Sequence, residues 1–438
     1  MEHLLVGFSR VDISPEASVP LGGFGRSLSR MSEGVADPLT ANCLAIGDGE
    51  RTVLVFSFDL GNMSTSIASY RKDVAEATGV PVEQIMFCAT HTHSAPALAL
   101  EIPSIQHYRE KLRRCMVECG ENAMADRKAA TLSVGSIRTR NMNFVRRYVL
   151  ADGTYAGDNY GHPSLSPIVS HETEADPMLQ VVKFTRDGGR DIIMANFQGH
   201  PHKGAKYRFY HVTSDLVHYF RQQLEADTGC HAVYFSGCSG NVNCSSRIPE
   251  ENITADYMEH GRALAQYALE ALKALRPVDG GQVTHLRRIY VGKCNHTEDH
   301  KLEQAKIVYE LWKNGAPTKE ALAGYEELFS SAFHAQSVIE KAARPETLEV
   351  ELCGICFGNV AMVFAPFELY SELGQLIKEG SPFAATFVCC YANAAFSYMP
   401  TQLAFTHGGY GPAKCRFEPG TGEQLAQQFI SILQELRN

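Results

Sequence analysis

The sequence predicts an α/β fold: a mixed β-sheet core flanked by helices, forming one large catalytic domain. Three observations carry this. Apolar β-rich runs alternate with segments of helical period. The apolar runs are short, and several end in a cluster of polar residues. No Pro/Gly/Ser linker or internal repeat divides the 438 residues, so residues 1–438 are read as one unit.

In chain order, Val53–Phe58 is a strand ending in Asp59, and Ile85–Ala89 is a strand ending in Thr90-His91-Thr92-His93-Ser94. Ile105, Tyr108, Leu112, Cys115, Met116, Cys119 and Ala123 recur at spacings of three and four, which predicts a helix over 104–126. Ile192–Asn196 ends in Gln198-Gly199-His200-Pro201-His202, and Ala232–Phe235 ends in Ser236–Asn243. Tyr257, Met258, Leu264, Ala265, Ala268, Leu269 and Leu272 predict a helix over 257–272, with Pro277 beyond its end. A helical stretch covers 300–342 with a break at Asn314–Pro317. Val360–Phe364 ends in Ala365-Pro366-Phe367-Glu368, and Thr386–Cys390 ends in Tyr391-Ala392-Asn393 and runs on to Tyr398. The last helix spans 422–436. Ligands in α/β sheets gather at the carboxyl ends of strands, so six endings rich in His, Asp, Glu, Asn and Tyr read as one shared site.

Composition narrows the function. Apolar residues make up 45% and charged residues 20%, which excludes disorder, collagen and small disulfide scaffolds. A net charge of −9 argues against a nucleic-acid or basic membrane surface. The N-terminus has no basic or apolar leader pattern, and the longest uncharged runs fall short of the ~20 residues a membrane helix needs. Thirteen irregularly spaced cysteines then read as reduced, mostly buried thiols in a cytoplasmic protein. Cys353 and Cys356 form one isolated CxxC inside an apolar run.

The chemistry concentrates in two HxH pairs. In an extended segment, residues i and i+2 share a face, so His91 and His93 face one cavity, as do His200 and His202. Neutral imidazole and carboxylate suit zinc, a catalytic site keeps one position open, and Glu368 after its strand is a natural anionic ligand. His296 and His300 are i,i+4 in a charged helix start, where capping and solvation explain them. His162, His171, His211, His218 and His407 have no partner at ligand spacing. There is no HExxH, GxGxxG, Walker or GxSxG motif. Gly22-Gly23-Phe24-Gly25 follows Pro20-Leu21 and reads as backbone turning close to a site. Asp59 and Asp215 are candidates to orient a ligand imidazole, or equally helix caps and turn formers.

These motifs resemble the neutral/alkaline (non-lysosomal) ceramidase family. Gly7–Pro15, Pro20–Gly25, Asp37–Leu39 and Phe58–Gly61 resemble its N-terminal signature. Thr90–Pro96 is similar to its Thr-His-Thr-His-Ser-Gly-Pro block, with Ala95 in place of Gly. Pro366–Glu368 and Ser397–Pro400 keep the order to the end of the chain. The resemblance implies one Zn²⁺ held by His91, His200, Glu368 and Tyr398, with His93 beside the reacting carbonyl. It also implies a chain without the family's C-terminal β-sandwich. The family's catalytic serine lies in Gly-Asp/Asn-x-Ser-Pro-Asn; here the run is Gly240-Asn241-Val242-Asn243-Cys244, so Asn243 stands at the serine position, with Ser245 and Ser246 close by.

The expectation is a zinc-dependent hydrolase that uses metal-activated water on a small soluble substrate, an amide or N-acyl compound by resemblance. The Gly240–Asn243 loop would supply backbone or amide donors. No apolar lip for lipid is evident in the sequence. A metal-dependent lyase or glycoside-cleaving enzyme for a small carbohydrate is the alternative, with Arg26, Asn143, Arg146, Arg147 and Lys203 as clamps. A non-catalytic ligand-binding homologue is the third reading.

Overall fold

The strands that end in the polar clusters are buried on both faces, so the sheet they form must be covered on both sides. The computed structural model describes residues 4–24, 27–158, 166–296, 299–315, 317–318, 320–325 and 332–438. Gly25, Arg26, His162 and the Thr297–Glu298 part of the His296–His300 segment lie outside the described residues.

The main sheet contains β1 (Leu4–Asp12), β2 (Thr40–Gly47), β3 (Thr52–Phe58), β4 (Ile85–Ala89), β5 (Lys128–Arg138), β6 (Met178–Arg186), β7 (Ile192–Phe197) and β8 (His231–Ser236). Their order is β8-β7-β6-β5-β1-β2-β3-β4, and β9 (Arg276–Val278) also pairs with β5. The inner pairs are antiparallel; the edge pairs β7/β8 and β3/β4 are parallel. A second sheet orders β10 (Val283–Lys293), β11 (Thr347–Phe357), β12 (Val360–Phe364) and β13 (Ala385–Cys389), with β12 and β13 parallel. The longer helices are α1 (Arg71–Thr78), α2 (Pro103–Ala125), α3 (Leu216–Thr228), α4 (Tyr257–Lys273), α5 (Asp299–Lys313), α6 (Ala332–Ala342), α7 (Ser371–Glu379) and α8 (Thr421–Arg437).

The period of two along each strand builds four layers. Val53 and Val55 of β3 join Val6, Leu44, Ile355, Met362 and Phe387 in a core between the two sheets. Leu54, Phe56 and Phe58 point the other way, into the cluster holding Val74 of α1 and Leu112 and Met116 of α2. Ile193, Ala195 and Phe197 of β7 pack on Val217, Phe220, Leu264 and Ala268 of α3 and α4. The outer face of the second sheet, Val350 and Val363, lies in one cluster with Leu373, Ile377, Phe429 and Ile432 of α7 and α8. Cys353 lies in the inter-sheet core and Cys356 in the helix-side cluster, so the CxxC cysteines face opposite ways and form no pair. All thirteen cysteines are free and buried.

The main sheet twists until its two edges meet. Strand β8 crosses the far half of the sheet. Its His231 stacks on Phe8 at 4.2 Å, Ala232 O accepts from Arg10 Nη2 at 2.7 Å, and Tyr234 O accepts from Ser57 Oγ at 2.5 Å. Ser236 Oγ then donates to Thr90 O at 2.6 Å. A bidentate ion pair locks the crossing: Arg221 of α3 donates to both oxygens of Asp59 at the end of β3, at 3.0 and 2.5 Å. Asp59 also accepts from Thr40 N–H and from Thr90 Oγ1.

Asp59 is 0% exposed and Arg221 4%, so neither can recover hydration if its partner is lost. Arg221→Met is expected to cost about 3–5 kcal/mol by stranding a buried carboxylate. It should show as a lower urea midpoint at unchanged slope, and an unchanged midpoint would reject the role given to this pair.

Candidate metal centre

The edge closure brings the ends of β4 and β7 together. After β4 the backbone turns through His91, whose φ of +71° is rare for a residue with a side chain. The turn is held by His91 N–H donating to Leu60 O at 2.9 Å and by the His91 ring stacking on Tyr391 at 3.8 Å. Tyr391 is in turn fixed through its hydroxyl by Ser239 at 2.7 Å. His200 follows β7, and its ring centre lies 4.7 Å from that of His91. Glu368 follows β12 and pairs in parallel register with Tyr398. Gly240 passes so close that a Cβ there would lie 2.2 Å from Glu368 O, which only glycine allows.

Backbone carbonyls set the imidazole tautomers. A carbonyl only accepts, so the proton of His91 sits on Nδ1 facing Gly61 O, and that of His200 on Nδ1 facing Val242 O. Both Nε2 atoms therefore carry a lone pair, and that of His91 also faces His93 Nε2 at 3.2 Å. They converge on Glu368 Oε2, at 3.6 Å from His91 and 3.3 Å from His200. His200 Nε2 and Glu368 Oε2 are buried with no hydrogen-bond partner. Acceptors that face one another without a donor are the pattern a cation satisfies, so these residues fit a metal ion. His93 joins them: ligand atoms of His91, His93 and His200 all lie within 4.8 Å of one another, and this cluster could hold a metal.

Burial keeps the ring set neutral. It lowers the pKa of His91, and it pushes His93 and His200 well below the ordinary value, with neighbouring cations adding to the effect. His202 is lowered to about 4, by burial first and Arg146 second. Tyr398 hydrogen-bonds Glu368 and accepts from Arg146 Nη2 at 3.1 Å; burial and the Glu368 charge raise its phenol pKa. Arg146 Nη2 also donates to Gly240 O at 2.7 Å. Burial opposes its charge, but Tyr398 and Glu368 outweigh that and keep it firmly cationic.

The remaining sequence candidates sort by what they touch. Asn243 bridges His202 Nε2 and Asp158. Gly240 N–H is spent on Leu369 O, and the Asn241 amide is spent on Glu372 and Ser371 N–H, so neither offers a free donor to a substrate. The expectation of donors from the Gly240 N–H and the Asn241 side chain is corrected on that ground. Asp59 serves Arg221, and Asp215 caps α3 through Leu216 N–H and holds Gly204 N–H; both place loops, and their hydrogen bonds reach no imidazole. Burial pushes the Asp215 carboxyl up to about 7. Ser246 hydrogen-bonds His171 Nε2, but the same nitrogen meets Glu251 while Nδ1 faces Val145 O, so no serine relay forms. Asn143, Arg147 and Lys203 are committed to internal partners, and Arg146 is held by Gly240 O and Tyr398, which places it beside the candidate ligands.

Sequence reasoning missed three features. Asp158 comes from a loop with no motif. Tyr391 was seen only as the end of a strand. An apolar rim, read as absent, is present: exposed Phe24, Phe209 and Tyr210 come from two segments distant in sequence and meet through their rings. Phe24 contacts His93 at 5.2 Å, His202 at 6.4 Å and Phe209 at 5.8 Å between ring centres, and Arg30 lies over Phe24 and Phe209. Cavities flank the cluster. One of about 210 Å³ holds His91 and His93, one of about 410 Å³ holds Glu368 and Tyr391, and one of about 250 Å³ holds Arg146, Asp158 and Tyr410.

Because the folded state lowers these imidazole pKa values, the unfolded chain binds more protons below its ordinary histidine value of ~6.5. Stability of the metal-free protein is therefore expected to be full above that pH and to fall as the pH drops toward about 4, the His202 value. Thermal melts across this range check the sign; a protein that grows more stable on acidification would contradict it.

No protein-family model and no curated protein matches the chain. Solved structures do. The neutral ceramidase from Pseudomonas aeruginosa matches at a TM-score of 0.73 and 19% identity, over 100% of this chain and 75% of that one. A ceramidase complexed with C2 matches at 0.75 and 19% identity, over 100% and 76%. A likeness that spans the whole chain at this identity is one of architecture: this chain has the neutral ceramidase fold.

Proposed function

We propose that this chain is a zinc-dependent hydrolase that cleaves an amide or N-acyl bond in a small substrate. The observation that carries it is the convergence of the His91 and His200 Nε2 atoms on Glu368 Oε2, with His200 Nε2 and Glu368 Oε2 buried and without a hydrogen-bond partner. The likeness to ceramidases supports the hydrolase half of the reading. His91, His200, Glu368 and Tyr398 would hold the ion. When bound, zinc acidifies water and polarises a carbonyl.

The chain's own residues do the rest. His93, bridging toward His91 at 3.2 Å, is placed to stabilise developing oxyanion charge or pass a proton. Arg146 holds the Tyr398 oxygen and keeps positive charge beside it. Phe24 and Phe209 offer an apolar wall for the acyl side of the substrate and keep water from that flank. The substrate is thus expected to be apolar at one end, a refinement of the soluble compound that the sequence suggested. Asn243 at the serine position cannot form an acyl-serine, which favours direct attack by water.

Purified protein is expected to contain about one zinc per chain, and His200→Ala to lose both metal and turnover. A metal-free wild type with full activity would sink the reading. Turnover of N-acyl amides in ¹⁸O water should place label in the released carboxylate. Products free of label indicate elimination and the lyase alternative.

A further inference from the structure

We propose that Asp158 is a positioning residue. Its carboxylate sets the Asn243 amide, and through that amide it holds His202 with its proton on Nε2. The argument is one of donors and acceptors. Asn243 Nδ2 lies 2.5 Å from Asp158 Oδ2, and Asn243 Oδ1 lies 2.9 Å from His202 Nε2. A carboxylate only accepts, so the NH₂ end of the amide must face it. The carbonyl end then faces His202 and demands a donor, and a neutral imidazole can donate from only one nitrogen. Flipping the amide would set its carbonyl against the Asp158 oxygens, two acceptors at contact distance.

Each member of the chain is anchored. Asp158 N–H donates to Arg146 O at 3.3 Å, and Arg247 Nε lies 3.9 Å from its carboxylate. Asn243 pairs with Phe144 and bridges to His200, so its side chain leaves a backbone tied to the candidate metal ligands. The His202 ring stands half-buried, 5.4 Å from the His93 ring and 5.8 Å from His200. The position where the ceramidase resemblance expects a nucleophilic serine therefore carries an amide that cannot attack but can orient an imidazole.

Any part this ring plays in turnover rests on the hydrolase reading.

The tautomer can be read without turnover. Long-range ¹H–¹⁵N spectra of the metal-free, ¹⁵N-histidine-labelled protein, with His202→Gln to assign the ring, are expected to show a pyridine-type Nδ1 and a pyrrole-type Nε2. Asp158→Asn removes the acceptor-only partner, lets the amide flip, and should move both His202 nitrogens toward averaged values; Asp158→Glu should restore them. A wild-type ring protonated on Nδ1 overturns the proposal even if no variant folds, and so does a His202 signal unchanged in Asp158→Asn. Either result leaves the hydrolase reading standing. Loss of that reading through absent zinc or absent turnover would leave the tautomer assignment intact.

Discussion

The Asp59–Arg221 ion pair is the constraint on which the remainder of the molecule depends. It joins the end of β3 to α3 across the closure of a sheet whose edges would otherwise splay apart. The same carboxylate reaches Thr90, the residue before His91, so one buried anion ties the fold-over of the sheet to the start of the site. Two charges removed from water repay their desolvation only when geometry is good and spare lone pairs are used. Here two guanidinium N–H groups, Thr40 N–H and two threonine hydroxyls fill the carboxylate. An aspartate read from sequence as a possible support for a ligand imidazole supports the backbone that carries the imidazole instead.

With the edges tied, the site can hold an arrangement that would not assemble alone. His91 stays at positive φ, a strain of about 1–3 kcal/mol, because Leu60 O, Gly61 O and the Tyr391 ring over-determine it. Two imidazoles point their lone pairs at a carboxylate because carbonyls on either side have claimed their protons. Burial then favours the neutral rings. Tautomer, charge and direction are thus all set by the protein before any ion arrives, and the remaining deficit of positive charge is what selects a cation.

The parts of this that were legible in the sequence are those with local signals. Strands Ile85–Ala89 and Val360–Phe364 match their apolar runs to the residue, and the long helices follow their periodicity. His91, His93, His200, His202 and Glu368 stood out because each follows a strand end. Helix α3 was overlooked although Leu216, Val217, Phe220, Arg221 and Leu224 carry a helical period; the polar residues around Asp215 masked its start. The long antiparallel strands, such as Leu4–Asp12 and Val283–Lys293, mix buried and exposed positions and blur into their loops. Asp158, the apolar rim and the β8 crossing depend on contacts between segments far apart in the chain. No window of sequence contains them.

The two walls of the site differ in kind, and that difference constrains the chemistry. One side is aromatic and exposed, with Phe24 against His93 and His202. The other is polar and enclosed, with Arg146, Asp158 and Tyr410 around a cavity of about 250 Å³. On the proposed hydrolase reading, a substrate that spans them would be apolar at one end and hydrogen-bonding at the other. Between these walls the Asn243 amide bridges Asp158 and His202. The candidate ligands are held by carbonyls and strand pairing, and Asn243 is held by its pairing with Phe144 and its bridge to His200 as well as by its side chain.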